Sequence, residues 1–165
     1  MNNTLRYIED EVYTPCAFKI SNFKVEAESK GYAACNFLLN GLRVISRNAK
    51  ITPKKTGQFV TFWKRKNDGP IEPFQKEDIF DFYIVNLSTE NTIGQFVFPK
   101  SILIKKGIIS THKKEGKRGF RVYPTWDIPT STQALRTQKW QLDYFYEIKD
   151  PINTALVKSL YYLDV

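Results

Sequence analysis

Between Ala33 and Phe98 the chain alternates short strand-forming runs with turn residues, which ties it to a fold organised around a β-sheet. Phe37-Leu38-Leu39 runs into Asn40-Gly41, a dipeptide that accepts positive φ at both positions and so favours a two-residue hairpin turn. The return strand extends from Leu42 to about Ile51. Thr52 to Gly57 forms a basic turn and Gln58 to Arg65 a further strand, so this stretch reads as a three-stranded meander. Asn67-Asp68-Gly69-Pro70 breaks the pattern. Asp81 to Leu87 (DFYIVNL) then reads as a buried strand, with Ile93 to Phe98 as its neighbour across a turn at Ser88–Asn91.

Helical periodicity brackets this region. Leu5, Ile8 and Val12 recur at three- and four-residue spacing, with Asn3 or Thr4 as a cap and Pro15 as a stop. Phe18 to Lys30 shows no regular pattern and is expected to be irregular. Pro99 opens a short helix to about Lys106, Lys113–Gly119 is a basic loop, and Phe120 to Tyr123 is a strand stopped by Pro124. Ser131 to about Tyr146 forms an amphipathic helix with Leu135, Gln138, Leu142 and Phe145 on one face, and Asp150-Pro151 starts a last helix ending near Tyr162. The expected architecture is a single α+β domain over residues 1–165, with a mixed or antiparallel sheet of five to six strands flanked by helices.

Charge is concentrated rather than dispersed. The 165 residues carry a formal charge of +8, but residues 37–66 hold 8 basic side chains and no acidic one. Residues 99–126 hold 8 basic side chains against Glu115 alone, and the block between these two is acidic, at −5. The basic blocks are interleaved with aromatic residues, which make 15% of the chain. Alternation in Gln58–Lys66 places Phe59, Thr61, Trp63 and Arg65 on one face, and Arg43 and Arg47 share a face of the preceding strand. Rings beside cations stack bases while lysine and arginine meet phosphates, so the two blocks point to a polyanion surface. Its candidate residues are Arg43, Arg47, Lys50, Lys54, Lys55, Trp63 and Arg65 from the first block. Lys100, Lys117, Arg118, Arg121, Tyr123 and Trp126 come from the second.

Other chemistries have few residues to work with. The chain has one histidine, His112, set beside Lys113 and Lys114 in a loop, and two cysteines, Cys16 and Cys35, without C-x-x-C spacing. That excludes a four-ligand His/Cys zinc site without carboxylates and leaves no imidazole placed for nucleophilic catalysis. Gly116-Lys117 is not a phosphate-binding P-loop, and no G-x-G-x-x-G occurs. No apolar run reaches membrane-spanning length and the N-terminus lacks the layout of a signal peptide, so a cytoplasmic protein without membrane insertion is expected. Carboxylates offer the remaining enzymatic route. Glu26, Glu28 and Lys30 form an E-x-E-x-K run, and Asp78 and Asp81 flank the start of a strand, where Asp81 serves as an end cap, as the partner of a nearby lysine or arginine, or as a metal ligand.

Three runs carry a resemblance to a known family: Arg47 to Arg65 (RNAKITPKKTGQFVTFWKR), Gly94 to Lys100 (GQFVFPK) and Gly116 to Pro124 (GKRGFRVYP). With Gln138-Lys139-Trp140-Gln141 and Tyr144-Phe145, they resemble the MepB family over nearly the whole chain. The resemblance implies a small cytoplasmic bacterial protein, encoded in some genomes beside a MarR-type repressor and a MATE-type multidrug efflux pump. It brings no established catalytic activity. It also implies a fold similar to type II restriction endonucleases, whose pattern sets an Asp on one strand and acid-x-Lys on the next. Asp81 matches the first position, but Gln95 and Val97 stand where the acid and lysine belong.

The expected function is therefore sequence-tolerant binding of DNA or RNA by a degenerate nuclease-like core, without cofactor, through blocks 37–66 and 99–126 converging on one groove. The alternatives are a metal-dependent nuclease and an accessory protein of the efflux system. The nuclease would use Mg²⁺ with Asp81, Glu28 and a lysine such as Lys50 or Lys100.

Overall fold

The computed structural model describes residues 1–162. The chain opens with α1 (Asn3–Ile8), continued by one wider π-turn over Glu9–Tyr13. Strands β1 (Ile20–Val25), β2 (Cys35–Leu39), β3 (Leu42–Asn48), β4 (Lys50–Ile51), β5 (Gln58–Thr61), β6 (Trp63–Arg65) and β7 (Ile71–Pro73) follow. Next come β8 (Phe82–Ser88), β9 (Ile93–Pro99), α2 (Lys100–Lys105) and β10 (Gly119–Val122). The last elements are α3 (Thr132–Gln141), β11 (Phe145–Glu147) and α4 (Thr154–Leu160).

The main sheet is six-stranded and mixed, in the order β1-β2-β3-β8-β9-β11. All its pairs are antiparallel except β3–β8, where Val44 to Asn48 run alongside Phe82 to Asn86. The hairpin at Asn40-Gly41 forms as expected: Asn40 takes φ 49° and Gly41 φ 83°. The meander does not. After β3 the chain leaves the main sheet, and β5 pairs with β4 and β10 in a separate three-stranded sheet. The expected strand over Gln58–Arg65 is interrupted at Phe62, whose amide bonds to the Arg118 carbonyl, and β6 then pairs with β7. The reason is the burial of β3 and β8. Both need partners and cover on each face, and the excursion between them supplies part of the cover on one.

Other boundaries shift as well. Asn2, not Asn3 or Thr4, caps α1, its Oδ1 accepting the Leu5 amide at 2.9 Å. The segment expected to be irregular contains β1, whose Ser21, Asn22 and Lys24 are exposed and whose register is broken by Asn22 at φ 51°. A polar, bulged edge strand leaves no alternation to read. The helix expected to reach Tyr146 ends at Gln141, because Phe145 and Tyr146 alternate as a strand against β9. Leu135, assigned to its inner face, is 48% exposed. Asn153 caps α4 in place of Asp150.

Two apolar layers enclose the sheet. One face packs α1, the π-turn and α4 through Leu5, Ile8, Val12 and Val157. The other packs the small sheets and α2 through Phe62, Phe74, Phe80, Phe98, Leu103 and Phe120. Phe62 stacks on Tyr83 with ring centroids 4.3 Å apart and on Phe74 at 4.4 Å, so most of the phenylalanine content is core.

A polar cluster is sealed within the helical side. Gln95, at 0% exposure, donates to Asn86 Oδ1 (2.8 Å) and Tyr13 Oη (3.1 Å). Its Oε1 accepts from Tyr146 Oη and Tyr161 Oη, each at 2.7 Å. Asn86 passes the network to Ser46 and Asn48. Every group of the Gln95 carboxamide is matched, which explains a glutamine in this strand without reference to catalysis. Gln95→Leu leaves three buried phenols short of partners and is expected to lower unfolding free energy by about 3 kcal/mol, while Tyr161→Phe costs about 1 kcal/mol, both read from urea midpoints.

Burial also pushes the Cys35 thiol up to about 11 and raises that of Cys16. Both cysteines are free and buried, so neither should react with an aromatic disulfide reagent in the native protein. The unfolded chain loses these protons at lower pH than the folded one, so the thiols cost no stability below about pH 9. Stability should then decline as pH rises toward 11. The buried tyrosines act in the same direction above about pH 10. A flat urea midpoint across that window would contradict this environment.

Candidate functional site

Several of the expected surface cations are committed elsewhere in the fold. Arg47 is 1% exposed, among the largest buried side chains, and is not a surface residue. Its guanidinium meets Glu26 at 3.1 Å, the Trp63 carbonyl at 2.9 Å and Thr61 Oγ1 at 3.3 Å, fastening the excursion to the main sheet. Arg65 bonds Glu28 at 2.8 Å and the Gly69 carbonyl at 2.8 Å, with its guanidinium 5.7 Å from the Trp63 ring centroid. Arg118 pairs with Glu115 at 3.0 Å. Lys100 donates to the Asp78 carbonyl and lies over the Phe80 ring, and Lys50 lies over the Tyr32 ring at 4.4 Å. Trp126 packs on Phe145, centroids 5.8 Å apart. Arg43 lines a different groove, with Lys24 and Glu26.

The carboxylates have structural partners too. Asp81 Oδ2 accepts the Arg43 amide at 2.7 Å, the end cap that a charge opening an apolar strand needs. Glu28 holds Arg65, and Asp78 takes Lys64 Nζ at 2.7 Å and the Gln75 amide at 2.7 Å. Against partial burial, Asp78 and Glu72 keep the Lys64 ammonium above its ordinary range. Among the described residues no cluster of three His, Cys, Asp or Glu side chains is placed to hold a metal. Asp81, Glu28, Lys50 and Lys100 each answer to a separate neighbour.

Other cations, drawn from both basic blocks, meet along one trough. Its deeper part, about 340 Å³, lies between β10 and α3 and is lined by Lys106, Lys117, Arg121, Tyr123, Thr137 and Trp140. A shallower continuation of about 290 Å³ shares Arg121, Tyr123, Ser131 and Ala134 with it and adds Lys54 and Lys55. No carboxylate lines either part. Lys54, Lys55, Lys106 and Lys117 are all exposed, whereas Tyr123 and Trp140 are half-buried with one side toward the trough. Lys106 stands 5.5 Å from the Trp140 ring centroid. Buried Gln141 fixes the two walls together: its Oε1 accepts the Tyr123 amide at 2.9 Å and its Nε2 donates to the Arg121 carbonyl at 3.0 Å. Asp127, beside the trough, has its carboxyl pushed up by partial burial, against the pull of the Gly57 amide and the Arg121 guanidinium.

Of the expected binding residues, Lys54, Lys55, Lys117, Arg121 and Tyr123 come together here. Lys106, Trp140 and Gln141 complete the trough and were not singled out as binding residues from the sequence. Trp140 follows Lys139 on a helix whose apolar face was misplaced, and no local pattern marks Gln141 as a brace.

Comparison with known proteins gives a consistent family. A family model described as MepB-like matches residues 26–147. A crystal structure of MepB is 34% identical and covers 89% of this chain and 97% of its own, with a TM-score of 0.76. A bacterial homing endonuclease aligns at 14% identity over 79% of this chain and 81% of its own, with a TM-score of 0.43, too slight a likeness to bear on fold or activity. No curated protein matches.

The division between committed and free cations has a direct test. Arg47→Gln strands Glu26 beside buried carbonyls and is expected to lower stability by about 3 kcal/mol, read from the urea midpoint. The double substitution Lys54→Gln, Lys55→Gln should leave that midpoint within about 0.5 kcal/mol.

Proposed function

The chain belongs to the MepB-like family, and on that premise we propose that it binds nucleic acid, without cutting it, through the trough between β10 and α3. The observation that carries this reading is the meeting of Lys54 and Lys55 with Lys106 and Lys117 along a channel free of carboxylates. Four exposed ammonium groups at one surface repel one another unless a polyanion neutralises them. Phosphates do so, and their attraction is independent of base sequence. Trp140 and Tyr123 add the flat surfaces that tolerate any base.

Binding without cleavage is supported by the use made of the acids. Phosphodiester hydrolysis of the metal-dependent kind needs carboxylates that converge on an ion beside the bound strand. Asp81 caps β8, Glu28 is paired with Arg65, and the trough offers only lysine, arginine, hydroxyl and amide groups. The proposed binding uses no cofactor.

A salt-series titration with single-stranded DNA, duplex DNA and RNA, repeated with Mg²⁺, tests the reading. If the four lysines each release a counterion, the log–log slope is about −3 for single strands and about −3.6 for duplex DNA, and a roughly fourfold rise in salt weakens binding about 50-fold and about 150-fold respectively. Lys117→Gln and Lys54→Gln are each expected to flatten the slope by about 1, whereas Arg65→Gln leaves it unchanged. Absence of affinity for all three polymers at low salt overturns the proposal, and Mg²⁺-dependent strand breaks overturn its non-catalytic part.

A further inference from the structure

The guanidinium of Arg121 does not lie open in the trough. Its Nε donates to the Thr56 carbonyl at 3.1 Å. Its Nη2 reaches Thr52 Oγ1 at 2.7 Å, the Gly57 carbonyl at 3.0 Å and the Lys55 carbonyl at 3.3 Å. These acceptors span the loop Thr52–Gly57, so the cation sits beneath the segment that carries Lys54 and Lys55. Tyr123, just past the end of β10, completes the seat. Gly57, at φ 83°, lies so close to the Tyr123 ring that a Cβ there would stand 2.7 Å from two ring carbons. Any other side chain would therefore lift the loop.

Asp127, beside the trough, offsets part of the positive charge gathered here. A guanidinium under two lysines adds a third positive charge to a loop held at one end only by the two-residue β4. Carbonyl dipoles offset that repulsion and orient the peptide planes, and a planar fork meets several acceptors at once where an ammonium meets them singly. We propose that Arg121 is a positioning residue: its guanidinium clamps Thr52–Gly57 so that Lys54 and Lys55 stand at the mouth of the trough. The clamp rests on the nucleic-acid reading for its purpose but not for its existence. Arg121 acts through the two lysines, with Nε and Nη2 both engaged by the loop.

Trypsin reads the clamp without any nucleic acid, because Lys54 and Lys55 are themselves cleavage sites on the loop. Mass analysis of early fragments should show cleavage after Lys54 or Lys55 rising about tenfold in Arg121→Gln, with the remaining lysine and arginine sites unchanged and only the site at position 121 lost. Arg121→Lys should behave like the glutamine variant, since one ammonium cannot bridge the four acceptors. Thr52→Val, which deletes a single acceptor and keeps the arginine, should give an intermediate rise and serves if Arg121→Gln fails to fold. Binding to a single-stranded oligonucleotide supplies the second arm. Arg121→Gln should weaken it as much as Lys54→Gln, Lys55→Gln, and combining all three substitutions should add no further loss.

Unchanged cleavage in both Arg121 variants overturns the proposal. So does full affinity in Arg121→Lys, or losses that add, since either result makes Arg121 a phosphate contact. If the wild-type protein binds no polymer, the nucleic-acid reading falls while the cleavage rates still decide whether the clamp exists.

Discussion

The parallel pairing of β3 with β8 governs the rest of the molecule. Two adjacent strands pointing the same way cannot be joined by a tight turn, so the chain must leave the sheet and come back. Here the detour runs from Ala49 to Asp81, and together with the segment from α2 to β10 it builds the layer that covers one face of the sheet. Phe62 and Phe74 enter the core from it, and Arg47 of β3 fastens it by bonding the Trp63 carbonyl and Thr61. The same detour carries the Thr52–Gly57 loop to the end of β10, where the second basic block meets it. The trough is thus a consequence of the crossover rather than an addition to it.

Positive charge has two distinct uses in this fold. Arg47, Arg65, Lys64 and Lys100 satisfy carboxylates, carbonyls or aromatic faces and hold the excursion in place. Lys54, Lys55, Lys106 and Lys117 have exposed heads and line the trough. Both sets come from the same two runs of sequence. Arginine predominates where several acceptors must be met in a plane, and lysine where a mobile, hydrated charge suffices. The buried cluster around Gln95 is the neutral counterpart: a carboxamide there matches three phenols and Asn86 without the desolvation cost of an ion.

Much of the fold was legible along the chain. Apolar runs marked β8 and β9, Asn40-Gly41 marked a hairpin, and the α+β class followed from strands set between helical ends. The strands that differ from expectation share one cause. β1 is a polar, bulged edge strand, β5 and β6 are halves of one apparent strand, and Phe145-Tyr146 abandons a helical pattern to join β9. In each, pairing with a distant segment overrode local preference. The site was legible in part for the same reason. Acid-free basic blocks drew attention to Lys54, Lys55, Lys117, Arg121 and Tyr123. Nothing local separated them from Arg47 or Trp126, which the fold turns inward.

The sequence by itself determined the family, the sheet-based class, the scarcity of histidine and cysteine, and the two basic blocks, because these depend on residue type and near-neighbour spacing. Only the tertiary structure decided which cations remain free, since that depends on carboxylates and carbonyls brought from remote positions. Glu26 reaches Arg47, Glu28 reaches Arg65, and the Thr52–Gly57 backbone reaches Arg121. A charge count cannot distinguish an ammonium in water from a guanidinium already bonded to four acceptors. The distance between them in the folded chain can.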